Sequence, residues 1–597
     1  MHPSGFQRAN HASLISLVDI KCPVSKWVNL KKMEELAVPR TLALLIGLSV
    51  ALFGWKNSGI AQETAPKITV GLKSSAELLS DLKFILSLTS DTEQKQWPIL
   101  KDYIEIFLPG IDRQRPIEVD VILGGKEPRY RMSFPLSSLR KFRKENLDSL
   151  GIKSRRKRRN RYRLTKAVEG WLLYKNKYGI IADLPSDLPA DLPDPQKKLA
   201  PFLAGKQKYD IVLDAVNQSD GQEARRKWFA GKTTELLAAI KPKKDEDPDT
   251  FALRKLLVKR QLAEGEWYYA ETLSLRLGWT TDVPGKKGRL DIKLVPIPKS
   301  SLAKSIAALG QKPGFYANIP RHADSILSMR LNHPLDELRK THLLELYGPL
   351  STVIGKKIDK AKDLSDAEKA ARHKLIKGLF DLLTAGTKAG LAEAFVEVHA
   401  NTSGPNTLVG AMRTADGAAV VELVKLVSQI GRGNKSELNV DKEGNVAIHK
   451  VLIPAASHPQ FKKFFGSDFV LIGTSKDMVW GAAGENAMEE LKAAIKLAAK
   501  TPRETKNKDV FGSLFVKLGP WIKFRKPKAD KKPKDDLNLR KLALEAFAGG
   551  DDTLTLEMKR VDDHVEGHFE ALSGILRLAG KLIADFSHTN LDDSSGN

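Results

Sequence analysis

The chain has 597 residues, 42% of them hydrophobic, with 9 Trp and 22 Phe. That apolar content excludes a disordered polymer and, at this length, a single ordinary core, so two or more domains are expected. A formal charge of +25 from 97 Lys+Arg against 72 Asp+Glu favours polyanions or anionic membrane surfaces as partners and also aids solubility, while a lone cysteine, Cys22, excludes a disulfide framework and a cysteine metal site.

The first element in chain order is an apolar run, Thr41–Trp55, preceded by Arg40 and followed by Gly59-Ile60-Ala61. A charge, a short apolar core and small residues at the −3 and −1 positions form the layout of a secretory signal peptide. The run is shorter than the roughly 20 apolar residues of a membrane-spanning helix. Cleavage after Ala61 is therefore expected, giving an exported protein, periplasmic or extracellular. The residues before Met33 fit neither a signal peptide nor a packed element, and the simplest account places the translation start at Met33. The short segment that would then precede the run carries Glu34 and Glu35, against the positive-charge criterion. An uncleaved anchor formed by residues 41–55 and a buried core helix are the alternatives. No cysteine follows the run, which excludes lipid attachment at a mature N-terminal cysteine.

A strand at Ile68–Leu72 then leads into a helix at Ala76–Leu88. Glu118–Leu123 and Arg129–Phe134 read as two strands around Gly124-Gly125, with a helix at Ser137–Phe142 and a hairpin at Gly170–Ala182. Asp183-Leu-Pro, Asp187-Leu-Pro and Asp191-Leu-Pro favour an extended surface loop, because proline disfavours helix before it. Residues 223–271 read as two helices broken at Pro242 and Pro248. Thr272–Trp279 alternates Leu273, Leu275, Leu277 and Trp279 with polar or small residues, the mark of a strand with one buried face. Leu290, Ile292 and Leu294 continue it in a second strand before a helix at Ser301–Leu309.

The same phrases recur downstream. Gly314–Ile319 and His322–Leu331 read as a strand leading into a helix, and residues 335–395 as two or three helices. Residues 395–401 and Thr407–Met412 read as two strands around Ser403-Gly404-Pro405, Ala418–Ile430 as a helix and Phe469–Ala483 as a hairpin. Residues 525–536, charged and proline-containing, read as a mobile loop. Thr553–Lys559 alternates as Thr272–Trp279 does, Val565, Phe569 and Ala571 mark the next strand, and Ile575–Phe586 closes with a helix. The expected fold is α+β: a tandem duplication of a mainly antiparallel-sheet unit with flanking and inserted helices. The expected copies are residues 62–311 and 312–597, after a signal region at 1–61.

The densest chemical feature is the run Lys153, Arg155, Arg156, Lys157, Arg158, Arg159, Arg161 and Arg163. Such a field can pair with several phosphates or sulfates, arginine bidentately. Tyr162 is the only ring near it in sequence, so the stacking platforms of single-strand nucleic-acid binders are missing and nucleic acid is disfavoured. In an exported chain the matching partners are anionic envelope polymers or a membrane surface; the alternative is a basic loop that only solubilises. Gly231-Lys232-Thr233-Thr234 imitates the end of a phosphate-binding loop, but Arg226 stands where the motif needs glycine, and the preceding residues read as helix. His564 and His568 lie on a strand pattern, where four residues span roughly 13 Å at about 3.3 Å each, too far to share an ion. With Glu566 and Glu570 they read as an exposed polar face. The histidines His322, His333, His342, His373, His399, His449, His458 and His588 are scattered. No catalytic residue, metal ligand or cofactor site is assigned.

The phrases LSLRLGW…GRLDIKLVPIP and AFVEVHAN…NTLVGAMRTADGAAVVELVKLV, with the export signal and the early strand–helix, resemble those of a group of large exported proteins of planctomycete-type bacteria. The resemblance covers nearly the whole mature chain. It implies export and the repeated architecture, and transfers neither an activity nor a site residue. The expected function is a non-enzymatic binding or structural component of the cell envelope. A secreted hydrolase with a site assembled from sequence-distant carboxylates or histidines is the first alternative, and a protein-interaction scaffold the second.

Overall fold

Period-two alternation builds the frame. The computed structural model describes residues 66–591 apart from 124–127, 206–207, 402–403, 431–432, 455–458, 501–508 and 525–532. The apolar run 41–55 and the expected cleavage site lie outside the described residues. In the first half the strands are β1 (Lys67–Leu72), β2 (Ile117–Ile122), β3 (Arg129–Pro135), β4 (Ile152–Arg158) and β5 (Arg161–Lys166). They continue as β6 (Gly170–Lys175), β7 (Tyr178–Ala182), β8 (Ile211–Val216), β9 (Thr272–Asp282) and β10 (Lys287–Pro296). The second half begins with β11 (Ser325–Asn332), β12 (Glu393–Asn401), β13 (Gly404–Arg413), β14 (Lys435–Glu443) and β15 (Val446–Leu452). It ends with β16 (Phe469–Thr474), β17 (Met478–Ala483), β18 (Val510–Lys517), β19 (Thr553–Val561) and β20 (His564–Leu572).

All the pairings are antiparallel, and the fold class is α+β. From the outer edge inward the first half runs β4–β5–β6–β7–β3–β2–β1–β8–β9–β10. The second half runs β14–β15–β16–β17–β13–β12–β11–β18–β19–β20. The order is the same in both. β10 pairs with β20, Leu290 opposite Phe569, and this seam joins the halves into one sheet of 20 strands.

Helices close the seam. Helix Ser573–Asn590, which follows β20, packs on helix Ser75–Ser87, which follows β1: Ala584 joins Leu86 in a buried cluster, and Arg577 Nε donates to the Leu88 carbonyl at 3.0 Å. Reciprocally, Leu302 and Ile306 of helix Ser301–Ala308, after β10, meet Leu338 at the start of helix Glu337–Asp359, after β11. Each half thus sends its last helix onto the first helix of the other. The long inserted helices fall in different gaps, and the equivalent gaps hold shorter helices, among them Trp97–Glu105 and Pro533–Ala548. Helices Gln222–Ala239 and Pro248–Glu271 separate β8 from β9, where Trp228, Phe229 and Tyr269 cover Ile68, Val70 and Leu213. Helices Glu337–Asp359 and Asp366–Lys388 separate β11 from β12. Their N-termini carry the expected signals: Asp247 caps a proline-led first turn, and Ser365 with Glu368 forms a capping box.

Several local expectations are corrected. The strand–helix read at 314–331 is a buried turn followed by strand β11. Phe315, Tyr316 and Ile319 pack against Phe395 and Trp480, while Leu327, Met329 and Leu331 share one strand face. The apolar spacing there was compatible with a helix until the register with β12 and β18 is known. The Asp-Leu-Pro segment is not an extended surface loop: Pro185–Asp187 is a short 3-10 turn, and Asp187, Leu188 and Leu192 are buried. The Arg129–Asp187 ion pair at 3.0 Å and the burial of both leucines in one cluster with Tyr178 and Ile180 hold it down. Of the loop expected at 525–536, residues 533–536 open helix Pro533–Ala548, which docks Phe547 near Leu518 and Ile522. His564 is buried beside Glu566 rather than exposed, its Nε2 lying 3.2 Å from a Glu566 oxygen.

Candidate functional site

The basic run forms the β4–β5 hairpin at the outer edge of the first half, with Asn160 (φ 61°) in the left-handed turn position that asparagine tolerates. Alternation sorts its residues. Ile152, Tyr162 and Leu164 point inward and join Leu172 and Phe142 in a buried cluster that anchors the hairpin. Lys153, Arg155, Arg156, Lys157, Arg158 and Arg159 are exposed, and Arg161 and Arg163 are half-buried. Lys153 pairs with Asp148 at 3.3 Å, Arg163 with Glu169 at 3.3 Å, and Arg161 donates to the Leu188 carbonyl at 2.7 Å. Arg155, Arg156, Lys157, Arg158 and Arg159 have no ion-pair partner among the described residues. Across the hairpin Arg155 stands opposite Arg163 and Arg158 opposite Arg161, like charges whose repulsion costs stability.

Two contributors lie outside the run. Trp171 of β6 sits opposite Arg163, whose guanidinium lies 5.3 Å from its ring centre, so a half-buried indole borders the cations. Tyr162, the ring closest in sequence, is buried and covered by Arg143 at 4.2 Å. Arg143 also donates to Ser154 Oγ at 2.9 Å and to the Ser154 carbonyl at 3.0 Å, clamping the inner end of β4. The alternating pattern of Gly170–Lys175 was the one signal that could have placed Trp171 there.

The equivalent edge of the second half, β14, is composed differently. Lys435 and Lys442 are balanced by Glu437, Asp441 and Glu443, and Asp441 and Glu443 pair with Lys492 at 2.5 Å and Lys496 at 3.5 Å.

Two polar groupings of the first half are paired internally. On β2, Asp120 accepts from Thr69 at 2.7 Å and Arg131 at 2.5 Å and pairs with Lys198 at 2.7 Å; Glu118 pairs with Lys198 as well. Burial opposes ionisation of both acids. For Asp120 the Lys198 and Arg131 charges win and hold it below the usual carboxylate range, whereas burial and Asp120 itself push Glu118 up. Glu77, Asp81 and Asp210 surround Lys73, which lies 2.5 Å from Glu77 and 3.1 Å from Asp210, so an ammonium already supplies the positive charge there. Burial, Asp210 and Glu77 push Asp81 up to about 7.

A cleft of ≈ 560 Å³ opens where helices 248–271 and 301–308 meet the 334–338 turn, lined by Arg226, Glu266, Trp267, Lys304 and Asp336 among others. Its size suits a small ligand. Burial pushes Glu266 up, but Asp336 is taken by Arg339 and by Ser305 at 2.9 Å. The cleft therefore offers no free carboxylate pair made of these two. Gly231 and Lys232 lie inside helix 222–239, with Lys232 paired to Glu235 at 2.7 Å, which excludes a phosphate-binding loop. His568 pairs with Asp291 at 2.8 Å. Among the described residues no helix is long and apolar enough to cross a membrane. Comparison with protein-family models, curated proteins and solved structures finds no match to this chain.

Proposed function

We propose that the protein is an exported, non-enzymatic component of the cell envelope whose β4–β5 edge holds an anionic polymer. One observation carries the reading: Arg155, Arg156, Lys157, Arg158 and Arg159 stand exposed at a sheet edge without an ion-pair partner among the described residues, at the cost of like charges facing across the hairpin. A polyanion bound there would relieve that repulsion and release its own counterions. The anchoring of Tyr162 and Leu164 in the core keeps the charges in place when no polymer is bound. In the same reading the two halves descend from one duplicated ten-strand unit, supported by their identical strand order, and the chain is cleaved near Ala61, supported by the layout around Thr41–Trp55.

The test is binding of residues 62–597 to a labelled sulfated polysaccharide across a salt series, beside a variant with Arg155, Arg156, Lys157, Arg158 and Arg159 changed to Ser. Steep weakening of binding with salt, lost in the variant, is the expected result. Equal affinity and equal salt dependence in both proteins would reduce the hairpin to a solubilising edge.

A further inference from the structure

In the second half, the positions that make the Lys198 cluster carry other chemistry. Asp120 of β2 faces Thr69 of β1, and His399 of β12 faces Ser325 of β11; two residues before them stand Glu118 and Glu397. Lys198 is the fourth residue of helix Pro195–Leu203, which follows β7. Glu490 is the fourth residue of helix Ala487–Ala498, which follows β17. Each precedes a leucine of 0% exposure, Leu199 or Leu491. By strand and helix position the set Glu118, Asp120, Lys198 corresponds to Glu397, His399, Glu490, although Ser325 Oγ donates to Glu397 where Thr69 donates to Asp120. Where the first half places an ammonium, the second places a carboxylate.

A second histidine completes the grouping. His322, exposed on the turn before β11, stacks on His399 with ring centres 4.2 Å apart and planes 20° from parallel. One nitrogen from each ring and a Glu490 oxygen all lie within 4.8 Å of one another. His399 is 4% exposed, and its Nδ1 is wholly buried without a hydrogen-bond partner. Buried polar atoms are ordinarily satisfied, because leaving one unpaired costs about 1–3 kcal/mol.

We propose that His322, His399 and Glu490 bind a divalent first-row transition-metal ion, zinc fitting best, in the role that the Lys198 ammonium fills in the first half. Two borderline imidazole nitrogens and one carboxylate oxygen are donors that zinc takes, at about 2.0–2.2 Å, and a fourth position is left for water. The donors must draw together, and the stacked rings must tilt so that both lone pairs meet one ion. His399 is held by the sheet, so His322 moves. Its Nδ1 is held only by the Asp324 amide at 3.2 Å, and turning the ring frees that nitrogen. Glu490 lies in the first turn of its helix and adjusts by side-chain rotation.

The experiment is calorimetric titration of untagged, chelator-treated protein, residues 62–597, with zinc chloride, and with cobalt(II) followed by its visible ligand-field bands. Expected are one site of micromolar affinity or tighter, cobalt bands of low-coordinate type, and a loss of about 10-fold or more in affinity in His322→Ala. Glu490→Lys rebuilds the first half's arrangement, and is expected to abolish the site while the metal-free protein stays folded. His322 is exposed, so its variant tests binding without endangering the fold. Absence of zinc binding at millimolar concentration would overturn the proposal. So would unchanged affinity and cobalt bands in both variants, which would place the ion elsewhere.

Discussion

The two halves of the sheet share a strand order and differ at their edges and in their buried polar clusters. β4 carries Lys153, Arg155, Arg156, Lys157 and Arg158, whereas β14 mixes Lys435 and Lys442 with Glu437, Asp441 and Glu443. Either composition protects an exposed edge from pairing with another chain, since mixed charges suffice for that. The excess on β4 goes beyond what edge protection needs, and apart from Lys153 it has no ion-pair partner among the described residues, where the charges of β14 are partly paired. The buried positions teach the same lesson. Glu118 and Asp120 share Lys198, with Arg131 completing the balance, and Glu397 has Arg330 at 3.8 Å, while His399 and Glu490 have no ion-pair partner among the described residues. Apolar alternation holds the topology in both halves; the polar positions are free to take different tasks.

The largest effect expected concerns the seam. Leu199→Ala and Leu491→Ala each remove a fully buried side chain and should each cost about 4 kcal/mol. Because the β10–β20 pairing and the exchanged helices bind the halves together, both variants should lower the midpoint of one shared denaturant transition. Two separate transitions, each sensitive to one variant, would show that the halves unfold independently and break the comparison at its base.

Next comes Lys198→Ala, which strands Glu118 in a buried site, leaves Asp120 with Arg131 and Thr69 only, and should cost on the order of 3 kcal/mol. Glu490→Ala should cost less than about 1 kcal/mol in metal-free protein, because Glu490 is not part of a closed ion pair there. Equal losses in chemical denaturation would mean that the two clusters play the same structural role.

A smaller effect concerns pH. Burial with Asp210 and Glu77 pushes Asp81 up to about 7, and burial with Asp187 pushes Asp183 up to about 7. A carboxyl with a raised folded pKa keeps its proton longer in the folded state. Its contribution to stability is therefore present at low pH and declines as pH rises from about 4 to about 7, then levels. Both residues belong to the first half. Asp81→Asn should flatten the decline and raise the melting temperature at pH 8 relative to wild type, with little difference at pH 4. A wild-type melting temperature that rises steadily over the same window, unaltered by the substitution, would contradict this.

The smallest effect is expected at the other edge. Lys435→Ser with Lys442→Ser should leave polysaccharide affinity and its salt dependence unchanged. A loss comparable to that of the β4 variant would show that overall charge, not the β4 edge, governs binding.

Much of the framework was legible from sequence. The alternation of Thr272–Trp279 and Thr553–Lys559 located β9 and β19, and the following phrases located β10 and β20 and their closing helices. β2, β3, β12 and β13 were equally plain, as were the helices broken at Pro242 and Pro248. Short segments whose local pattern fits more than one structure were not legible. His322–Leu331 reads as helix because its pattern fits two periods until a neighbouring strand selects one, as it does for Ser325–Asn332. The Asp-Leu-Pro turn was read as solvated because nothing local shows that Arg129 waits for Asp187.

The chain's own pattern therefore determined that this is an antiparallel α+β protein with a concentrated block of positive charge. Hydrophobic periodicity and charge density are local properties and need no knowledge of partners. The tertiary structure alone decided that β10 and β20 meet, that the charge lies along a free edge beside Trp171, and that His322, His399 and Glu490 converge. Those facts depend on cross-strand register and on where a helix lands, which are set by the packing of residues far apart in the chain.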